Sequence, residues 1–143
     1  MRTLLWKFII NFLEATRLDR LLIQLRYYLN RRQVVFTSQC FGQTIRFFEQ
    51  GEGGVVIHGP ADKFSIHETA HLKSNTLIEC GGGVTIGRYF HTGRGLTIFS
   101  TNHDYDGGEA IPYGHGVILK PVIIGDFVWC GANVTDPARS QCR

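Results

Sequence analysis

Residues 66–98 read IHETAHLKSNTLIECGGGVTIGRYFHTGRGLTI, and in them Ile66, Leu72, Ile78, Val84, Phe90 and Leu96 recur at six-residue steps without a slip. Two residues after each stands Glu68, Ser74, Cys80, Ile86, Thr92 or Ile98, most of them small or aliphatic. The beat returns at Val122-Ile-Ile124, Val128-Trp-Cys130 and Val134-Thr-Asp136, and glycine often follows the third residue, as at Gly87, Gly93, Gly125 and Gly131. Alternation along a strand turns the first and third residues of a triplet inward and the middle one outward. A fixed six-residue period therefore predicts three-residue strands joined by tight corners. Thr85, His91, Thr97, Ile123, Trp129 and Thr135 are the outward middle residues on this reading. Three strands make one triangular coil of about 18 residues, and successive coils stack about 4.8 Å apart. The pattern is that of a mainly β protein, a β-helix.

The beat breaks once. A triplet due at position 102 appears only at Val122, so residues 99–121 form a loop thrown out from one corner. Loops of that length in a compact repeat are uncommon unless they carry function. This one holds Asn102, His103, Asp104, Tyr105, Asp106, His115 and Lys120.

Ahead of the repeat, residues 1–33 have helical periodicity. Leu4, Leu5, Phe8, Ile9 and Phe12 form one stripe, and Leu18, Leu21, Leu22, Leu25, Tyr28 and Leu29 form another. Thr16-Arg-Leu-Asp19 has the form of a capping box, which starts a second helix near Thr16. Seven Lys/Arg against Glu14 and Asp19 give this head a net charge of +5, while the remainder carries −2. The stripe is expected to pack on the body; the alternative is a basic amphipathic segment lying on an anionic membrane surface. A transmembrane helix is not expected, because Lys7 and Glu14 interrupt the best apolar run. Nor is a signal peptide, since Lys7 and Asn11 fall within its would-be core.

The 143 residues, 43% hydrophobic and 19% charged, suit one folded domain with a single core and exclude a disordered chain. The slightly acidic body argues against nucleic-acid binding. Cys40, Cys80, Cys130 and Cys142 are scattered and read as reduced thiols of a cytoplasmic protein. The domain organisation is then a helical segment 1–33, a repeat domain 34–136 with its loop at 99–121, and a tail 137–143.

The stretches IGRYFHTGRGLTIFSTNHDYD (86–106) and IPYGHGVILKPVIIGDFVWCGANVT (111–135) resemble the hexapeptide-repeat acyltransferases. The nearest branch is the O-acetyltransferases that decorate sugars and surface polysaccharides, and the likeness covers about residues 55–135. The resemblance implies a left-handed parallel β-helix; general crossover rules would favour the other hand. It also implies acetyl-CoA as co-substrate, no metal, and a homotrimer with active sites between neighbouring subunits.

On the same likeness His103 matches the loop histidine that acts as general base. The chemistry suits an imidazole, which titrates near neutrality and can take the proton of a sugar hydroxyl as it attacks a thioester. Asn75 falls where the family holds the acceptor, although a turn asparagine would look the same. Asn102, Asp104 and Tyr105 flank the base and are candidates to orient it or the acceptor. Trp129 corresponds to an aromatic lining the coenzyme A channel, and Gly131 and Ala132 to backbone that binds the pantetheine arm. Turn geometry alone would also explain the last two.

Two other readings start from histidines. His67-Glu-Thr-Ala-His71 matches the H-E-x-x-H zinc signature, but that chemistry needs a helix and this segment lies on the six-residue beat. The gamma-class carbonic anhydrases share the expected fold and bind zinc through histidines of adjacent subunits, a role imaginable for His91, His103 and His115. A non-catalytic scaffold or assembly subunit is the remaining alternative.

After Thr135 the chain leaves the family pattern. Asp136 would put a carboxylate at an inward position, which costs free energy if it is unpaired. Read one base later, codons for Asp136-Pro-Ala-Arg-Ser-Gln-Cys-Arg143 permit Ile-Leu-Pro-Gly-Val-Asn-Val-Gly, which restores both motif and beat. The expectation is a single-base frameshift just after Thr135, leaving a truncated chain with an incomplete donor site.

Overall fold

The structure is a computed structural model that describes residues 2–104, 116–136 and 141–142. Two helices, α1 (Arg2–Thr16) and α2 (Leu18–Phe41), precede fourteen short strands. The strands are β1 (Arg46–Phe48), β2 (Val55–His58), β3 (Phe64–Ile66), β4 (His71–Lys73), β5 (Thr76–Glu79), β6 (Val84–Ile86), β7 (His91–Thr92), β8 (Thr97–Phe99), β9 (Thr101–His103), β10 (Val117–Leu119), β11 (Val122–Ile124), β12 (Trp129–Cys130), β13 (Thr135–Asp136) and β14 (Gln141–Cys142). Strands so short follow from the repeat, and most corners carry a glycine or a residue at positive φ, such as Asn75, Gly83, Tyr89, Gly95, Phe127 and Asn133.

Twelve of the strands make three four-stranded sheets. Sheet 1 has the order β1-β4-β7-β12, sheet 2 β13-β8-β5-β2 and sheet 3 β14-β11-β6-β3. The pairings in all three are parallel. From β2 onward the chain visits sheets 2, 3 and 1 in unbroken rotation, with only the β9–β10 hairpin standing outside. The inward residues stack into ladders, such as Phe64, Val84 and Val122 or Ile66, Ile86 and Ile124, all buried. Ile57, Ile78 and Ile98 make a similar ladder in sheet 2, capped by the buried Asp136. The expected outward residues Thr85, His91, Ile123, Trp129 and Thr135 are exposed, and Thr97 is half-buried.

The first coil differs from the expected register. Its strands start two residues earlier, so Phe64 and Ile66 are the inward pair and Glu68 is exposed. His71 pairs with His91, so this turn takes 20 residues instead of 18. The reason is the corner Cys80-Gly-Gly-Gly83, which is two residues longer than the others and shifts the phase of the beat. Gly83, at φ +100, supplies a backbone conformation that a side chain would strain. At the far end, β14 pairs with β11, so residues 141–142 of the expected tail continue sheet 3.

The helices depart from expectation in three ways. α2 runs past residue 33 to Phe41, because Val34 and Thr37 bury themselves on the body and outweigh the low helix propensity of β-branched residues. It stops at Gly42 in a Schellman turn, with Gly42 N–H donating to Gln39 O and Gln43 N–H to Ser38 O. The capping box does not form: Thr16 Oγ1 donates back to Phe12 O at 2.7 Å, and Arg17 at φ 55 separates the helices. The third departure is the apolar stripe. Val34, Thr37 and Phe41 face the body, with Thr37 Oγ1 donating to Val55 O and Phe41 edge-on to Phe64. Leu21, Leu22, Leu25, Leu29 and Phe36 lie on the opposite side of α2 and are exposed. Among the described residues no helix is long and apolar enough to cross a membrane.

Candidate functional site

The break in the repeat becomes an arm. β9 and β10 pair antiparallel, with Thr101 opposite Leu119, Asn102 opposite Ile118 and His103 opposite Val117. The arm leaves the corner between sheets 2 and 3, the one corner that sheet 1 does not touch, and β11 then resumes in register with Val122 beside Val84.

Its root is tied to the coil below through Glu79. Glu79 Oε2 accepts a bond of 2.7 Å from the Thr101 hydroxyl, and Oε1 accepts one of 2.7 Å from Gly81 N–H. The Ser100 hydroxyl donates to Glu79 O at 2.9 Å and accepts from Gly82 N–H at 2.9 Å. On the return strand, Lys120 N–H donates to Ser100 O at 2.8 Å. Gly82 is obligatory here, since a Cβ would collide with the Ser100 carbonyl and Lys120 N. The glycine corner and the carboxylate beside it thus fix where the arm begins.

Beyond that root the sequence candidates line up along β9. Asn102 and His103 are exposed and Asp104 is half-buried. Asn102 Oδ1 accepts from His103 N–H at 2.9 Å, and Asp104 N–H donates across the arm to Gly116 O at 3.0 Å. Tyr105 and His115 lie outside the described residues.

The other candidates belong to different parts of the winding. Asn75 is exposed at the corner between sheets 1 and 2, in the left-handed region at φ 61. Trp129, 75% exposed, lies on the outer face of sheet 1, with Gly131 and Ala132 at the corner that follows. A Cβ at Gly131 would meet only the Trp129 ring, at 3.9 Å, so open space adjoins the indole. Within one chain, therefore, Asn102, His103 and Asp104 share one edge, while Asn75, Trp129, Gly131 and Ala132 share another face and corner.

Sheet 1 also holds a feature that the sequence reading did not single out. His71, His91 and Trp129 succeed one another in register on its outer face. The His71 ring stands 4.1 Å from His91 and 4.7 Å from Phe48, edge-on to both. Burial holds the His71 imidazole below its ordinary value of 6.5, and His91, Lys73 and Arg46 add to the effect. Burial likewise pushes the Cys80 thiol up, with the Glu79 charge second. Cys80 is thus an inert core residue. Glu79 too was missed, because its role depends on the longer glycine corner, which the uniform beat concealed.

His67 and His71 of the H-E-x-x-H segment stand in a corner and in β4, not on a helix. His67 Nδ1 is engaged by the Thr69 hydroxyl at 2.9 Å and accepts from Thr69 N–H at 3.2 Å. Among the described residues no three His, Cys, Asp or Glu side chains are grouped to hold a metal ion. Comparison with protein-family models, with curated proteins and with solved structures finds no match to this chain.

Proposed function

We propose that this chain is a subunit of a coenzyme A-dependent O-acyltransferase of the hexapeptide-repeat kind, a left-handed parallel β-helix. It moves an acetyl group from acetyl-CoA to a hydroxyl of a sugar or surface-polysaccharide precursor. The observation that carries this reading is the arm: a repeat otherwise in register projects a hairpin at one corner, with Asn102-His103-Asp104 on it.

In this reading His103 takes the proton of the acceptor hydroxyl as its oxygen attacks the thioester carbonyl. The donor supplies an activated acyl group and a thiolate leaving group, and His103 returns its proton to that sulfur. Asn102 and Asp104 hold the acceptor against the imidazole, with Tyr105 beyond them. Asn75 contributes to the acceptor site, and Trp129, Gly131 and Ala132 support the donor's pantetheine arm. Because these two sets lie on different faces of one chain, a working centre takes the arm of one copy and sheet 1 of its neighbour, as in a trimer.

The test is to incubate the protein with acetyl-CoA and a panel of sugars and sugar-lipid precursors, following acetylated product by mass spectrometry. Turnover is expected to be weaker from this chain than from one that reads Ile-Leu-Pro-Gly-Val after Thr135, and in the latter His103→Ala should lower it by about 10²–10⁴-fold while leaving coenzyme A binding nearly unchanged. Near-normal turnover in that variant removes His103 from the mechanism. No transfer to any acceptor favours a scaffold instead.

A further inference from the structure

We infer that the α1–α2 segment is a docking surface for an anionic lipid bilayer. In α1, Leu4, Leu5, Trp6, Phe8 and Phe12 are all more than half exposed, Leu4 reaching 79%. On α2, the exposed Leu22, Leu25, Leu29 and Phe36, preceded by the half-buried Leu18, follow alternating four- and three-residue steps with one interruption at Arg32, which puts them on one side. That side points away from Val34 and Thr37, the residues buried against the body. The molecule thus joins its helices to the β body by one face of α2 and leaves a second apolar surface uncovered, larger than scattered surface residues explain.

Charge identifies the occupant. Residues 1–33 carry a net +5, and among the described residues Arg26 and Arg31 are the ones engaged with body carboxylates, Glu52 at 2.6 Å and Glu49 at 3.3 Å. Lys7, Arg17, Arg20 and Arg32 are exposed on the same segment and add to its positive charge. A second copy would bring like charge against like, with Arg32 interrupting each leucine seam. An anionic headgroup layer instead supplies the opposite charge, and its acyl boundary accepts the leucines and aromatic rings. Neither helix is long and apolar enough to cross the bilayer, so the segment lies in the interface.

The experiment is flotation of the full chain with vesicles of phosphatidylcholine alone or with about a third phosphatidylglycerol. Binding is expected only with the anionic vesicles and should weaken at high salt. Phe8→Glu and Leu25→Glu, at exposed positions that leave the core intact, should each weaken partitioning by about tenfold or more. In a Trp129→Phe background, Trp6 emission should shift to the blue with anionic vesicles alone. Absence of binding to anionic vesicles, or equal binding to both kinds, overturns the proposal. A change of oligomeric state in Leu25→Glu, read by sedimentation, also overturns it by assigning the face to a second copy.

Discussion

At the scale of single residues, Glu79 does the most to position the arm. Its two carboxylate oxygens bind Thr101 on β9 and Gly81 in the corner below, so one side chain couples the coil to the arm. Hydrogen bonds to a charged group contribute about 1.5–3 kcal/mol each way such networks are cut. Glu79→Ala should therefore lower the melting temperature and reduce turnover, with coenzyme A affinity unchanged; an unaltered melt and rate would remove it from that role. His71 makes a pH prediction. Its folded pKa lies below 6.5, so the unfolded chain binds the proton first as the solution is acidified. The contribution is fully present above 6.5 and is lost as pH falls from there through the lower folded value. The melting temperature should drop as the pH falls below about 6.5, and less steeply in His71→Asn. An equal slope in the two proteins would show that His71 does not contribute. The arm that carries Asn102 and His103 was legible in the sequence because the period breaks there, while the roles proposed for the two rest on the family resemblance. Glu79 and the His71–His91 pair were not legible: Glu79 belongs to no motif, the one motif that includes His71 points to a different chemistry, and both acquire partners only when coils stack.

At the scale of elements, the repeat was readable because six-residue spacing leaves the chain little choice of inward face. Where spacing was uniform, from Val84 to Ile98 and from Val122 to Cys130, triplets and strands agree. The first coil slipped by two residues because Gly81–Gly83 lengthens one corner, and a hydrophobic beat does not reveal corner length. The helix boundary failed for a related reason: Val34 and Thr37 look like strand residues until the body they cover is present. If the arm is an insertion into a self-sufficient winding, it is removable. Replacing residues 101–121 by a copy of Gly81–Gly83, with Ser100 in the place of Cys80, should leave a cooperative thermal transition and β-type circular dichroism. Acyl transfer should disappear. A chain that no longer folds would mean that the arm is part of the core.

At the scale of the whole molecule, the winding separates the two halves of the proposed centre. The arm leaves between sheets 2 and 3, whereas Trp129 stands on sheet 1. The proposed centre is therefore built from two copies, the arm of one and sheet 1 of another. The central claim is acyl transfer at a centre built from the arm of one copy and sheet 1 of another. The most direct test co-expresses two variants under different tags, His103→Ala, which lacks the base, and Gly131→Trp, which blocks the strip beside Trp129. Each alone should be inactive. The mixed assembly should recover about a quarter of wild-type transfer, as random assortment of subunits predicts. Mixed assemblies as inactive as their parents, beside an active wild type, would contradict a shared centre, and absence of transfer even from a chain restored to Ile-Leu-Pro-Gly-Val after Thr135 would contradict the transferase itself.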